Sequence, residues 1–239
     1  SYDDNITVAQ LMENLRVLKA KVALTCAIAD LLGLWPLEKI TLTLSRFATQ
    51  ALNWSLAYLL LKEQQKGNIV LSYVKSGKVD TSICNHCGFF VLAMGKLGAN
   101  ELNYSSDIDL ITLYDPDKIT YTGRKSINHF YISITQELMQ IMERRTMHGY
   151  VFRTDLRLRP DPGSTPPAIS IYAAETYYHT VAVNWERSAM IKASVVAGDI
   201  NCGQVYLNNL SSWVWRRSMD FAAIQDIAAI KTHLNQHYE

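Results

Sequence analysis

Apolar residues recur at the helical period from the start of the chain. Leu11, Leu15, Leu18, Val22 and Ala29 fall near a spacing of 3.6 residues, which predicts a first helix. Gly33-Leu-Trp-Pro36 ends it, and Pro36 suits the first turn of a second helix. That helix runs from about Leu37 to about Gln65, with Leu44, Phe47, Ala51, Trp54 and Leu61 on its apolar face. Two long helices joined by so short a break form an antiparallel pair that serves as scaffold.

The pattern then changes. Gly67, Asn68, Gly77 and Lys78 break the chain, and residues 66–87 read as a loop. Phe89-Phe90-Val91-Leu92-Ala93-Met94 is a continuous apolar run that reads as a buried strand. Ile108–Tyr114 reads as a second strand, and residues 115–125, with Pro116 and Gly123, as a polar turn. A helix follows over residues 126–146. Val151–Arg159 alternates polar and apolar and reads as a third strand, followed by a rigid loop over residues 161–167. From Tyr172 onward the pattern is helical again, with a stop near Gly198 and Gly203. The expectation is an α+β fold: a small mixed sheet flanked by helical N- and C-terminal segments. The divisions expected are 1–87 helical, 88–170 core and 171–239 helical.

Composition narrows the class. Apolar residues make up 49% and charged residues 19% of 239 residues, enough for a packed core without disulfide support. The net charge of +1 lacks the basic excess of a nucleic-acid binder, so no nucleic-acid partner is expected. The longest apolar stretch, near Ala51–Leu61, is too short to span a bilayer and contains Asn53. The acidic, polar start is no secretory leader. A cytoplasmic location without membrane contact is expected, and the missing initiator Met implies a processed chain or a fragment. Cys84-Asn-His-Cys87 is half of a zinc site without a second half, so a reduced turn is expected; Cys26 reads as a buried small hydrophobe.

Candidate chemistry is concentrated in residues 95–110. Strand alternation puts Asp107 and Asp109 on one side, with Ile108, Leu110 and Thr112 on the other. Two carboxylates so close repel each other and call for a cation, and oxygen ligands suit Mg²⁺ or Mn²⁺. Gly95 and Gly98 lie between the two strands, where glycine lets backbone approach a phosphate closely, and Ser105 and Ser106 add hydroxyl donors. On the third strand Asp155 stands among Arg153, Arg157 and Arg159, side chains suited to phosphate. The assembled expectation is a two-metal site in which Asp107, Asp109 and Asp155 ligate the ions. Lys96, Arg157 and Arg159 would neutralise phosphate charge. Glu186, Arg187 and Lys192 fall on a predicted helix, where either they pair simply as helix salt bridges or Lys192 binds phosphate and Glu186 orients either cation. Trp185 is expected in the core, and no histidine is given a catalytic role.

Three stretches carry a family resemblance. Residues 95–110 (Gly-Lys-Leu-Gly-Ala-Asn-Glu-Leu-Asn-Tyr-Ser-Ser-Asp-Ile-Asp-Leu), 155–160 (Asp-Leu-Arg-Leu-Arg-Pro) and 184–193 (Asn-Trp-Glu-Arg-Ser-Ala-Met-Ile-Lys-Ala) resemble the glutamine synthetase adenylyltransferase/adenylyl-removing enzymes. The likeness extends more weakly into Trp35-Pro-Leu-Glu38 and Met219-Asp-Phe-Ala-Ala-Ile224. It implies a DNA-polymerase-β-like nucleotidyltransferase fold. It further implies that this single copy of the motif is one half of a two-half enzyme. Tyr177-Tyr178 and Trp185-Glu186-Arg187 resemble the half that removes AMP from a glutamine synthetase tyrosine by phosphorolysis, giving ADP. The adding half, which uses ATP, usually has Trp-Glu-His there. Ala99-Asn100 departs from the Gly-basic pair of many relatives. Glutamine synthetase, a PII-type signalling protein, inorganic phosphate and ADP or ATP are the implied partners. The alternatives are an ATP-dependent adenylyltransferase and a non-catalytic docking module for glutamine synthetase or the PII protein.

Overall fold

The structure, a computed structural model, describes residues 6–71 and 80–215. Gly77, Lys78 and Met219-Asp-Phe-Ala-Ala-Ile224 lie outside the described residues, as does the expected helical continuation beyond residue 215.

The two predicted helices are α1 (Val8–Leu31) and α2 (Leu37–Gln65). Thr7 starts α1 with a reciprocal cap: its hydroxyl accepts the Gln10 amide, and its own amide donates to Gln10 Oε1 at 2.9 Å. Gly33, at φ +62°, closes α1, and Pro36 sits at the cap before α2. The expected loop after α2 holds two short elements, β1 (Ile69–Val70) and a 3-10 turn over Thr81–Cys84. Next come β2 (Phe89–Ala93), the single turn α3 (Gly95–Gly98) and β3 (Ile108–Tyr114). The polar turn contains β4 (Thr120–Tyr121), which pairs with β1, and α4 (Ile127–Glu143) follows, ending earlier than the sequence pattern predicts.

The third strand differs most from expectation. Only Thr154–Asp155 (β5) pairs; the rest of residues 151–159 leaves the sheet. Thr154 is fixed by its amide to Glu143 Oε1 at 2.9 Å, which ties β5 to the end of α4. The proline loop leads into β6 (Ala168–Ser170), and then α5 (Ile171–Thr180) and α6 (Asn184–Met190) follow. The expected unbroken helical tail is interrupted by a strand, β7 (Ser194–Gly198), before α7 (Ile200–Val214).

β3 is central. It pairs antiparallel with β2, which pairs antiparallel with β7. On its other edge β3 pairs parallel with β5 near its start and with β6 near its end, so the sheet is mixed. Alternation along β2 divides the core. Phe89, Val91 and Ala93 pack with α1, α2 and α4, whereas Phe90, Leu92 and Met94 pack with α5, α6 and α7. Asn53, the polar residue inside the apolar run of α2, donates to Val196 O at 2.7 Å and accepts from the Gly198 amide, pinning β7 to α2. The apolar cluster on the α1–α2 face runs from Leu11 to Ala197, so packing continues across residue 87. Arg16, 2% exposed on the inner face of α1, donates to the carbonyls of Met12, Ile141, Arg144 and Gly149. That buried guanidinium holds the segment leading into β5 in place. Among the described residues no helix is long and apolar enough to cross a membrane.

Candidate active site

The end of β2, the start of β3, β5 and the approach to β7 meet at one end of the sheet. Met94 N donates to Asp109 O at 2.9 Å, and Ile108 N donates to Arg153 O at 3.0 Å. Ile108 and Leu110 enter the core on the α1–α2 side, while Ile111 and Leu113 enter the other cluster. Asp107 and Asp109 therefore face the α5–α7 side, as alternation predicts. In the β3–β5 ladder Asp109 is directly paired with Asp155. Parallel neighbours in register present their side chains on one face. The ladder thus sets Asp155 beside Asp109, with Asp107 two residues before Asp109 in the chain.

Electrostatics show the same grouping. The Asp109 carboxyl is raised above its ordinary range, first by burial and then by the charges of Asp155 and Asp107. Asp155 is held below its ordinary range, chiefly by hydrogen bonds from Arg157. That guanidinium donates through Nε to both Asp155 oxygens, at 3.0 and 2.8 Å, and the Arg157 amide donates to Oδ1 at 2.8 Å. Arg153 donates to Asp107 through Nε, to Tyr150 Oη at 3.2 Å and to Ser105 O at 3.1 Å. As they stand, no three His, Cys, Asp or Glu side chains among the described residues are gathered to hold a metal ion. The two guanidiniums occupy the outer carboxylates.

The glycines serve different ends. Gly95, at φ +53°, has its open side 3.3 Å from Asp109 Oδ2, measured from where a Cβ would stand. The same point on Gly98 lies 2.0 Å from Lys192 O and 2.5 Å from Ala93 O. Gly98 therefore permits close packing of α3 on the sheet, and its empty side is filled by protein backbone. Lys96 is exposed on α3. Ser105 and Ser106 lie in the turn before β3, where Ser106 N donates to Asn103 O at 3.4 Å.

Several side chains depart from the sequence reading. Arg159 does not stand in a row with Arg153 and Arg157. Its guanidinium donates to the carbonyls of Leu156, Pro162 and Thr165, at 2.9, 2.8 and 3.1 Å, and braces the proline loop. Lys192 lies beyond the end of α6 and pairs with Glu101 at 2.9 Å. Glu186 is buried: its oxygens accept from Tyr177 Oη at 2.9 Å and Val183 N at 3.0 Å, capping α6. Trp185, expected in the core, is 45% exposed. Burial pushes the Cys87 thiol up to about 12 and raises Cys84 as well, so both stay protonated as packing groups. Tyr150, Glu101 and Glu143 were not picked out by the sequence pattern. Glu101 lies within the distinctive 95–110 stretch, whereas nothing local marks Tyr150 or Glu143.

An α+β domain with one carboxylate on a central strand, one just before it and a third on a parallel neighbour has the build of a nucleotidyltransferase-type family. The chain belongs to the glutamate-ammonia ligase adenylyltransferase family, whose model matches residues 2–209. Similar proteins bear the name bifunctional glutamine synthetase adenylyltransferase/adenylyl-removing enzyme. One from Bradyrhizobium sp. (strain ORS 278) is 44% identical over 95% of this chain and 22% of its own length. One from Rhizobium meliloti (strain 1021) is 44% identical over 96% of this chain and 23% of its own. One from Caulobacter vibrioides is 45% identical over 93% of this chain and 22% of its own. The chain thus spans less than a quarter of the length of these relatives.

Proposed function

We propose that this chain removes AMP from an adenylylated tyrosine of glutamine synthetase by metal-dependent phosphorolysis, releasing ADP, on a DNA-polymerase-β-like framework. The observation that carries the reading is the register pairing of Asp109 with Asp155, with Asp107 two residues upstream on the same side. Three hard oxygen donors, the central one raised by burial and then by the charges of the other two, suit a divalent cation. Asp107, Asp109 and Asp155 would hold Mg²⁺ or Mn²⁺, which when bound supplies positive charge to the attacking and leaving oxygens of an in-line displacement. The open side of Gly95 leaves Asp109 Oδ2 approachable.

An oxygen of inorganic phosphate attacks the AMP phosphorus, the bond to the tyrosyl oxygen breaks, and that oxygen takes up a proton. Arg157 and Arg153, both exposed and already at the carboxylates, neutralise phosphate charge as it gathers there. Lys96 adds a flexible cation from α3, and Lys192 a further one beside Glu101. Arg159 acts indirectly, holding the loop that follows Asp155. The names of the relatives support glutamine synthetase as the target, and a PII-type protein is the proposed regulatory partner. Trp185-Glu186-Arg187 and Tyr177 favour removal over addition, and Tyr177 is joined to Glu186 by a hydrogen bond.

The test incubates adenylylated glutamine synthetase with the protein, inorganic phosphate and Mg²⁺. ADP release is the expected outcome; AMP incorporation from ATP without ADP release would instead assign the adding reaction. Asp107→Asn should lower ADP release by about 10²- to 10³-fold. Full activity in that variant would remove the carboxylates from the reaction.

A further inference from the structure

The carboxylates meet two guanidiniums, and the two pairs are built differently. Arg157 grips both oxygens of Asp155, a carboxylate that is largely covered. Arg153 reaches Asp107 through Nε alone, and both of those side chains are about half exposed. An exposed ion pair of this kind is worth little and exchanges easily with solvent or another ion. Arg153 has anchors of its own besides Asp107. Its Nη1 donates to Tyr150 Oη at 3.2 Å, its Nη2 donates to Ser105 O at 3.1 Å, and its guanidinium lies 5.9 Å from the centre of the Tyr150 ring. Releasing Asp107 would leave the guanidinium held beside the site.

The surroundings of Tyr150 add further positive charge. Lys19 of α1 places its ammonium 4.5 Å from the Tyr150 ring centre and 5.1 Å from that of Phe152, and it donates to Tyr150 O at 3.3 Å. Arg145 lies 5.7 Å from the same ring centre. Burial first, and then the charges of Arg153 and Arg16, disfavour the charged form of Lys19. Arg153 is thus attracted by Asp107 on one side and repelled by cations on the other. A cation arriving at Asp107 removes the attraction and leaves a cluster that favours an anion.

We propose that Arg153 is a two-station counter-ion arm. It holds Asp107 while no divalent cation is bound. It yields that carboxylate to the cation and then turns, tethered by Tyr150, onto the phosphate being transferred. This rests on the proposed carboxylate metal site and adds an order of events: Arg153 competes with the cation before it cooperates with it. Occupation of the site is thereby coupled to readiness for phosphate.

The test measures Mn²⁺ binding by the paramagnetic resonance signal of the free ion, for wild type, Arg153→Gln and Asp107→Asn, each first shown folded by circular dichroism. Arg153→Gln should bind Mn²⁺ about three- to fivefold more tightly, because the competing counter-ion is gone. Its KM for inorganic phosphate in ADP release should rise about tenfold. Unchanged or weaker Mn²⁺ binding in Arg153→Gln would overturn the first station, and an unchanged phosphate KM the second. Asp107→Asn should weaken Mn²⁺ binding. If it leaves that binding unaltered, the metal-site reading itself fails, whatever Arg153→Gln does.

Discussion

Burial and the charges of Asp155 and Asp107 hold the Asp109 carboxyl above its ordinary range. Ionised Asp109 therefore destabilises the cation-free fold. Between the unfolded and the folded pKa the native chain keeps the proton that the unfolded chain has lost. Lowering the pH through the folded value thus relieves the penalty, and the penalty is complete above it. Asp109→Asn should accordingly raise the melting temperature of the cation-free protein at neutral pH by a few degrees. Mg²⁺ should stabilise wild type and leave the variant unmoved, as scanning calorimetry with and without the ion would show. The positions of Asp107 and Asp109 were legible because alternation on a strand is a local rule. The roles of Arg159 and Lys192 were not. Which carbonyl or carboxylate a long cation reaches depends on the fold of residues 156–165 and on Glu101, neither of which a strand pattern contains.

The long helices and β2 and β3 were readable as elements, because each repeats one period over enough residues to exclude the other. β7 was not. Ser194–Gly198 follows α6 after the short link Ile191-Lys192-Ala193 and is only five residues long, so its apolar run fits either period. The reverse error befell the third strand. Residues 151–159 alternate like a strand, yet pairing is confined to Thr154–Asp155, with Glu143 fixing the Thr154 amide and Arg159 bracing the loop beyond. The same element scale explains Gly98. A side chain there would strike Lys192 O and Ala93 O, the backbone where α3 lies over the ends of β2 and the approach to β7. Gly98→Ala should cost about 2–3 kcal/mol in urea denaturation. A change within about 0.5 kcal/mol would mean that α3 does not press on the sheet as described.

Across the molecule, one apolar face unites the helical pair with the sheet, and the buried Arg16 connects α1 to the segment that delivers Arg153 and Asp155. The periodicity marks Leu11 and Leu15 on the inward stripe of α1 but not Arg16, whose carbonyl partners lie over a hundred residues away in Ile141, Arg144 and Gly149. The α+β class was readable from the change of period after residue 87. The direction of the reaction is a different matter. In the proposed function it rests on a few residues around Trp185-Glu186-Arg187, because carboxylates at the end of a central strand can serve either removal or addition of AMP. What the whole account requires is that the three carboxylates accept a divalent cation. Anomalous diffraction from crystals of the protein soaked in Mn²⁺ tests this most directly. The account predicts a manganese peak among Asp107, Asp109 and Asp155, with Arg153 turned away from Asp107. Crystals that show Mn²⁺ elsewhere or nowhere, with Arg153 still on Asp107 and Arg157 still on Asp155, would contradict it.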